Sequence, residues 1–212
     1  MKKFELTSEF ITNIFGTKLF RIKALIEFGN VKAGELGGFV EKEENLSQDG
    51  NAWVYDNARV CGDACVYDNA RVYGNARVYG NAWVYGNACV YGDACVCGDA
   101  RVCDNARVYG NAWVYGNAWV YGDACVYGDA RVCGDACVYG DAGYATVHGF
   151  GSEYRTTTFF KTKAGVGVKC GCFYGNLSEF RKKVVETHGE TKKAKEYLMI
   201  ADLMEFRFSD NS

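Results

Sequence analysis

Between residues 54 and 138 a valine falls at every sixth position, fifteen times without a break, and an alanine keeps step with it from Ala52 to Ala142. The phrase around them is nearly constant, as in "VYGNARVYGNAWVYGNACVYGDACV" at residues 72–96. Six is a multiple of two but not of 3.6, so a residue type repeated at this interval keeps to one face of a strand and cannot keep to one face of a helix. Val suits the centre of a short strand. Gly-Asn-Ala and Gly-Asp-Ala are turn chemistry, because Gly, Asn and Asp tolerate left-handed backbone angles. Each hexad therefore reads as one strand and one corner.

Strands joined by identical corners close only by coiling. The stretches "VYDNA" (54–58) and "VYGNA" (78–82) place an aliphatic residue first and a small residue fifth. In this they resemble the hexapeptide repeat of left-handed parallel β-helices. The resemblance implies three hexads per coil, a triangular prism with Val and Ala inside, and a left-handed sense that ordinary parallel crossovers do not share. The expected fold class is an all-β solenoid of about five coils, on the order of 24 Å long at the ~4.8 Å strand spacing.

With eighteen residues per coil, outward positions stack in columns on three walls. The first wall aligns Tyr55, Tyr73, Tyr91, Tyr109 and Tyr127 beside Trp53, Arg71, Cys89, Arg107 and Cys125. The second sets Cys61, Tyr79, Cys97, Tyr115 and Cys133 beside Arg59, Arg77, Cys95, Trp113 and Arg131. The third sets Tyr67, Tyr85, Cys103, Tyr121 and Tyr139 beside Cys65, Trp83, Arg101, Trp119 and Cys137. No column stacks Cys on Cys, so the closest disulfide geometry goes unused and the eleven cysteines are expected as thiols. The corner column Asp63, Asn81, Asp99, Asn117, Asp135 alternates carboxylate with amide and keeps like charges two strand spacings apart. Stacked Asp corners can offer oxygens to calcium, but the hexad lacks the glycine-rich nonapeptide of calcium rolls. Corner hydrogen bonding is the expectation.

The flanks are not repetitive. In residues 1–45, "KFELT" and "KLFRIKALIEF" alternate as strands do, and a β cap over the first coil is expected because a β-helix end is an open sheet edge. The repeat domain is set at 46–148. Residues 149–212 read as a ββαα module, with "YRTTTFFKT" and "VGVKCGCFYG" as strands joined at Lys163-Ala164-Gly165. "SEFRKKVVETHG" comes next as a helix with Ser178 as N-cap and Gly189 as its stop, and then "KKAKEYLMIADLMEF", whose apolar stripe is Ala194, Tyr197, Leu198, Ala201 and Met204. The lead-in "LGGFVEKEENLS", the tyrosine-rich array and the tail "TTTFFKT…CGCFYGNLSEF…THG" are similar to hexapeptide-repeat proteins of bacteriophages and prophages, most of which have no assigned activity.

Composition narrows the classes further. Hydrophobic content of 49%, aromatic content of 15% and the absence of Pro exclude collagen-like and disordered chains. No apolar stretch succeeds the two lysines of "MKKFELTSEF" and no run is long enough to cross a bilayer, so the expectation is a cytoplasmic protein without membrane association, in the bacterial host's cytoplasm if it is viral. Residues 143–212 carry 11 Lys+Arg against 8 Asp+Glu, too small an excess to hold duplex nucleic acid by charge.

Hexapeptide-repeat proteins include acyltransferases, which use a His near a groove between subunits, and γ-class carbonic anhydrases, which need three His for zinc. This chain has two His, both outside the repeat. The anhydrase is excluded on ligand count, while acyl transfer through His148 or His188 stays open. His148 in "VHGFG" reads as the end of the last coil and His188 as the last turn of a helix. Cys170 and Cys172 of "CGC" fall on one face of a strand and with His188 give three zinc ligands of the usual four, so packing beneath a helix is expected, and no metal or cofactor is assigned.

The walls carry the stronger signal. Arg71 beside Tyr73, Arg107 beside Tyr109 and Trp113 beside Tyr115 set cationic forks against flat rings, which suits stacking of a base and pairing of a phosphate. Stacked tyrosines also support a sheet by cross-strand packing alone. The expected function is non-enzymatic: an oligomeric binder that sequesters a small nucleotide-like ligand, such as an antiviral signalling nucleotide. Its expected ligand-binding residues are Arg71, Tyr73, Tyr91, Arg107, Tyr109, Trp113, Arg155 and Lys161. The family resemblance implies a homotrimer, with a dimer second. The alternatives are a scaffold whose C-terminal module docks on a host or phage protein, and an acyltransferase.

Overall fold

The computed structural model describes residues 2–151 and 153–209. Fifteen strands of two or three residues, from Trp53–Val54 to Cys137–Tyr139, pair in parallel at a spacing of eighteen residues, as in Arg71 with Cys89 and Cys89 with Arg107. The result is a parallel β-solenoid with three walls. Every Val of the array, and every Ala from Ala52 to Ala136, is fully buried. The series stops there. Ala142 is exposed, because a 3-10 turn at Asp141–Gly143 leaves the prism and Gly143 packs against Val138 in its place.

The corners explain the rest of the hexad. The residue after each outward Tyr or Cys adopts a positive φ near 70° where it is Gly, and Asp56, Asp68 and Asp104 take 53–60°. The carboxylates of these three Asp accept the N–H of Gly74, Gly86 and Gly122 in the next coil, at 3.0–3.1 Å. That bond offsets the cost of a Cβ in left-handed backbone. Along one edge the side-chain amides form a ladder in which Asn51, Asn69, Asn87 and Asn105 each donate to the next, ending at Asp123. On the other edges Asn75, Asn81, Asn111 and Asn117 donate to Asp93, Asp99, Asp129 and Asp135. An Asn can receive and pass on a bond, whereas an ionised Asp can only receive, so each run ends at an Asp.

Main-chain bonds at the edges of the strands share this direction. Arg71, Tyr73 and Asn75 donate their N–H to the carbonyls of Ala88, Val90 and Gly92 one coil on, at 2.9–3.0 Å. The first coil therefore leaves carbonyls at these positions without a preceding coil, and the last leaves N–H groups without a following one.

The N-terminal end is closed by β1 (Phe4–Thr12), β2 (Lys18–Ala24) and β3 (Leu36–Val40), an antiparallel meander in which β3 also pairs in parallel with Arg59–Val60. Val40 and Leu46 align with Val60 and Val66, twenty residues on rather than eighteen, the two extra residues falling between Leu46 and Val54. The solenoid thus gains one coil, for about six, from the segment expected as cap. The Lys3 ammonium donates to the carbonyls of Asp49, Gly50 and Ala52 at 3.0–3.4 Å. Burial pushes it down to about 8, with Asp49 opposing. The Asn45 side chain donates to Gly62 and Ala64 at 2.9 and 2.8 Å. Phe4 and Phe28 pack edge-on against the buried Trp53.

The other end is closed by a four-stranded antiparallel sheet of β4 (Tyr144–Val147), β5 (Thr157–Thr162), β6 (Gly165–Cys170) and β7 (Phe173–Asn176), with α1 (Leu177–His188) and α2 (Lys192–Phe208) behind it. The expected hairpin is β5–β6, and a short strand is added on each side. Alternation along β5 serves two cores at once: Phe160 joins the prism and Phe159 joins the helices. Thr158 Oγ1 accepts the N–H of Arg131 at 3.0 Å, and the Tyr144 hydroxyl accepts that of Tyr127 at 3.3 Å. Because β7 runs straight into α1, the N-cap is Asn176 rather than Ser178, and it exchanges hydrogen bonds with Glu179 in a capping box. Gly189 ends α1 as expected. Ala194, Tyr197, Ala201 and Met204 are buried, with Leu198 partly so. Among the described residues no helix is long and apolar enough to cross a membrane.

Candidate ligand-binding clefts

Strand spacing dictates what the walls can offer. On the first wall, Tyr73, Tyr91, Tyr109 and Tyr127 lie face to face with centroids 4.8–5.4 Å apart, close to the spacing of the strands that carry them. Tyr55 closes the near end edge-on and Tyr144 the far end. Arg71 and Arg107 flank Cys89 in the neighbouring column. Five of the expected residues, Arg71, Tyr73, Tyr91, Arg107 and Tyr109, therefore share one wall. Both faces of each of these three rings are taken by neighbouring rings, so edges are presented and no face is left for a base.

On the other walls a long ring from one coil lies across a short thiol in the next. Tyr79 reaches Cys97 and Cys95, Tyr115 reaches Cys133, and Tyr85 reaches Cys103. This accounts for the Tyr/Cys alternation. A bond from Cys95 holds the Cys97 thiol below its usual range against the effect of burial, with Tyr79 and Arg77 acting in the same direction. Arginines stack on tryptophans one coil away: Arg131 lies 5.8 Å from the Trp113 ring centre, and Arg101 sits between Trp83 and Trp119 at 5.5 and 5.8 Å.

Concavities form where the last coils meet the C-terminal module. Below Trp113, a cleft of about 420 Å³ is lined by Asp129, Arg131, Arg155, Thr156, Lys169 and Gly171. Three cations face one carboxylate, and Asp129 already accepts the Asn111 amide at 3.1 Å. Gly171, in the β6–β7 turn, has φ +56°, and a Cβ there would lie 2.8 Å from Arg155 Nη1. The turn must therefore be Gly for Arg155 to lie where it does. Arg155 also faces Glu153 at 3.7 Å. Arg155, from the expected set, lines this cleft, while Trp113 borders it only through Arg131, which stacks on its ring. Lys161 is exposed on β5 and does not line this cleft. Sequence reasoning did not name Arg131, Thr156 and Lys169 as site residues. The column of Arg131 under Trp113 was a signal for the first, but nothing local to the tail marks the other two.

The remaining candidates sit apart. The His148 ring nitrogen lies 3.2 Å from the Thr156 hydroxyl, while His188 stacks on Tyr197 at 5.8 Å. Cys170 ends β6 and Cys172 lies in the turn after it, so the two do not share a strand face as expected. Cys170 receives the Thr157 hydroxyl at 3.2 Å, and Cys172 is exposed. Among the described residues no group of three or more His, Cys, Asp or Glu side chains is placed to hold a metal.

Stacked walls, an aliphatic interior and an eighteen-residue coil define a parallel β-solenoid of the hexapeptide type. Its repeats match the model described as YdcK Beta solenoid repeat at residues 64–78, 70–86 and 100–116. The uncharacterized acetyltransferase YdcK of Escherichia coli (strain K12) is 40% identical over 63 residues, which is 26% of this chain. The match spans 19% of that relative's length.

Proposed function

We propose that the protein is a binding module for a small phosphate-bearing ligand with a flat ring, of the nucleotide class, held in the cleft below Trp113. The observation that carries this reading is the convergence of Arg131, Arg155 and Lys169 on one concavity beside an exposed tryptophan. Guanidinium forks meet phosphate oxygens in pairs, Lys169 adds a point charge, and the Thr156 hydroxyl adds a donor. Arg131, itself stacked on Trp113, offers its guanidinium plane to the ring. Arg131 and Lys169 here take the part expected of Arg71 and Arg107. The resemblance to phage proteins suggests a signalling nucleotide as the ligand, and self-assembly into a trimer would bring several such clefts onto one particle.

Titration calorimetry against a panel of mono-, di- and cyclic nucleotides tests this. Arg131→Ala and Lys169→Ala are each expected to weaken binding by about tenfold or more, the effect of losing a charge-assisted bond, while Arg71→Ala leaves it unchanged. Wild-type affinity in Arg131→Ala sinks the assignment.

A second reading, acyl transfer, is favoured by the contact of His148 with Thr156 at the cleft wall and by the name of the YdcK relative. Coenzyme A carries a nucleotide, so the same cations would hold it and His148 would stand near its mouth. This reading requires acetyl-CoA binding and loss of turnover in His148→Ala.

A further inference from the structure

The second and third walls set different residues beneath their lower tryptophans. Below Trp113 the next coil supplies Arg131, whose guanidinium covers the ring. Trp119 has Arg101 above it, but the next coil supplies only Cys137. The side chain at that position is too short to cover an indole. The Trp119 ring also packs on Tyr121 at 5.3 Å and donates its Nε1–H to Cys103, and the part of it left exposed looks past Cys137 into open space. That space is a cleft of about 640 Å³ between the third wall and the module.

Its lining suits what the column lacks. Tyr174 offers a second ring, held in place by stacking on Phe160 at 6.4 Å. Asp135 and Glu179 bring two carboxylates and Lys163 one ammonium, with Asn117 and Asn176 on the rim. Asp135 accepts the Asn117 amide and Glu179 the Asn176 N–H, which fixes both acids in position. A cation over an indole face gains from the ring quadrupole, and a planar guanidinium can stack there while sharing its N–H donors with carboxylates. The chain already uses this chemistry at Trp83, Trp113 and Trp119.

We infer that this cleft is a binding site for a guanidinium group, which packs on the exposed part of the Trp119 ring in the place of the missing arginine and pairs with Asp135 and Glu179. The site is separate from the cationic cleft on the second wall and selects ligands of opposite charge. The guanidinium can belong to a small molecule or to an arginine side chain in a peptide.

The test is titration of the full chain with agmatine and with N-acetyl-arginine amide, monitored by tryptophan fluorescence. Saturable quenching is expected, weakened about tenfold in Trp119→Ala and by a similar factor in Asp135→Asn. The deciding variant is Cys137→Arg, which fills the slot from within. Arginine already occupies this place in the hexad at six positions, so the fold is expected to survive, and circular dichroism checks that it does. Quenching lost in a folded Cys137→Arg protein supports the site. Quenching by agmatine but not by the amide assigns it to small molecules, and the reverse assigns it to peptides. Absence of saturable quenching at millimolar agmatine and amide, or undiminished quenching in Cys137→Arg, overturns the proposal. Neither outcome depends on whether nucleotides bind at Arg131.

Discussion

At its first coil the solenoid presents carbonyls, and at its last it presents amides. The two caps answer with opposite chemistry. Donors close the first end, where Lys3 reaches three carbonyls of the first coil and Asn45, in the 3-10 turn of that coil, reaches two of the next. Acceptors close the last, where the hydroxyls of Thr158 and Tyr144 receive N–H groups. The apolar plugs differ as well: Phe4 and Phe28 press on Trp53 at one end, while Phe160 enters the prism at the other. A repeat array has a polarity, so a cap suited to one end cannot serve at the other. The difference matters energetically because an unmet buried polar group costs far more than a met one contributes.

The largest effect should come from the apolar plug. Phe160→Ala is expected to cost about 3–5 kcal/mol and to raise hydrogen exchange in the last coil, whereas the adjacent Phe159→Ala loosens the helices and leaves that coil protected. Equal exchange patterns for the two variants would break the idea that β5 serves two cores. Next come the polar caps. Lys3→Met should cost about 1–3 kcal/mol and Thr158→Val somewhat less, each exposing only its own end to exchange. Lys3→Glu, which sets acceptors against acceptors, should be worse than Lys3→Met in a urea melt. Within the ladder, Asn87→Asp should cost about 1 kcal/mol by removing the donor to Asn105, and the deficit should shrink as pH falls through ~4 and the carboxyl regains a proton. Asp123→Asn, at the ladder's end, should be close to neutral. The smallest effect is expected for Asp68→Gly, where relief of a positive φ and loss of the bond from Gly86 cancel to within about 0.5 kcal/mol. A large loss in its thermal midpoint would mean that the bond dominates.

The solenoid was legible because its period is short and every Val and Ala votes for the same register. The first coil was less so, since the two additional residues before Val54 shift Val40 and Leu46 out of the count. In the tail, the hairpin and both helices announced themselves by alternation and periodicity. β4 and β7 are four residues each, too short for a pattern, and Asn176 outcompeted Ser178 as a cap because the strand before it ends there. The candidate clefts were the least visible. Thr156 and Lys169 meet Arg131 only because β5 folds back across the last coil, a long-range event with no local trace. The outward positions do stack as columns, but whether a ring keeps a free face depends on the side chain eighteen residues further along. Tyr91 is covered on both faces, whereas Trp119 keeps part of its ring exposed.

The ladder of columns also bears on how such a gene can change length. Near-identical hexads invite slippage during copying, which removes or adds whole repeats. Losing one hexad would keep the interior intact, since Val and Ala recur at every step, yet it would turn everything downstream by one wall and set the all-tyrosine column against the Tyr/Cys column of the next. Losing three would shorten the rod by one coil and leave each wall in line. Selection on the surface columns would therefore tolerate lineages that differ by eighteen residues and discard those that differ by six or twelve, so that natural length variants, when compared, should fall into steps of whole coils.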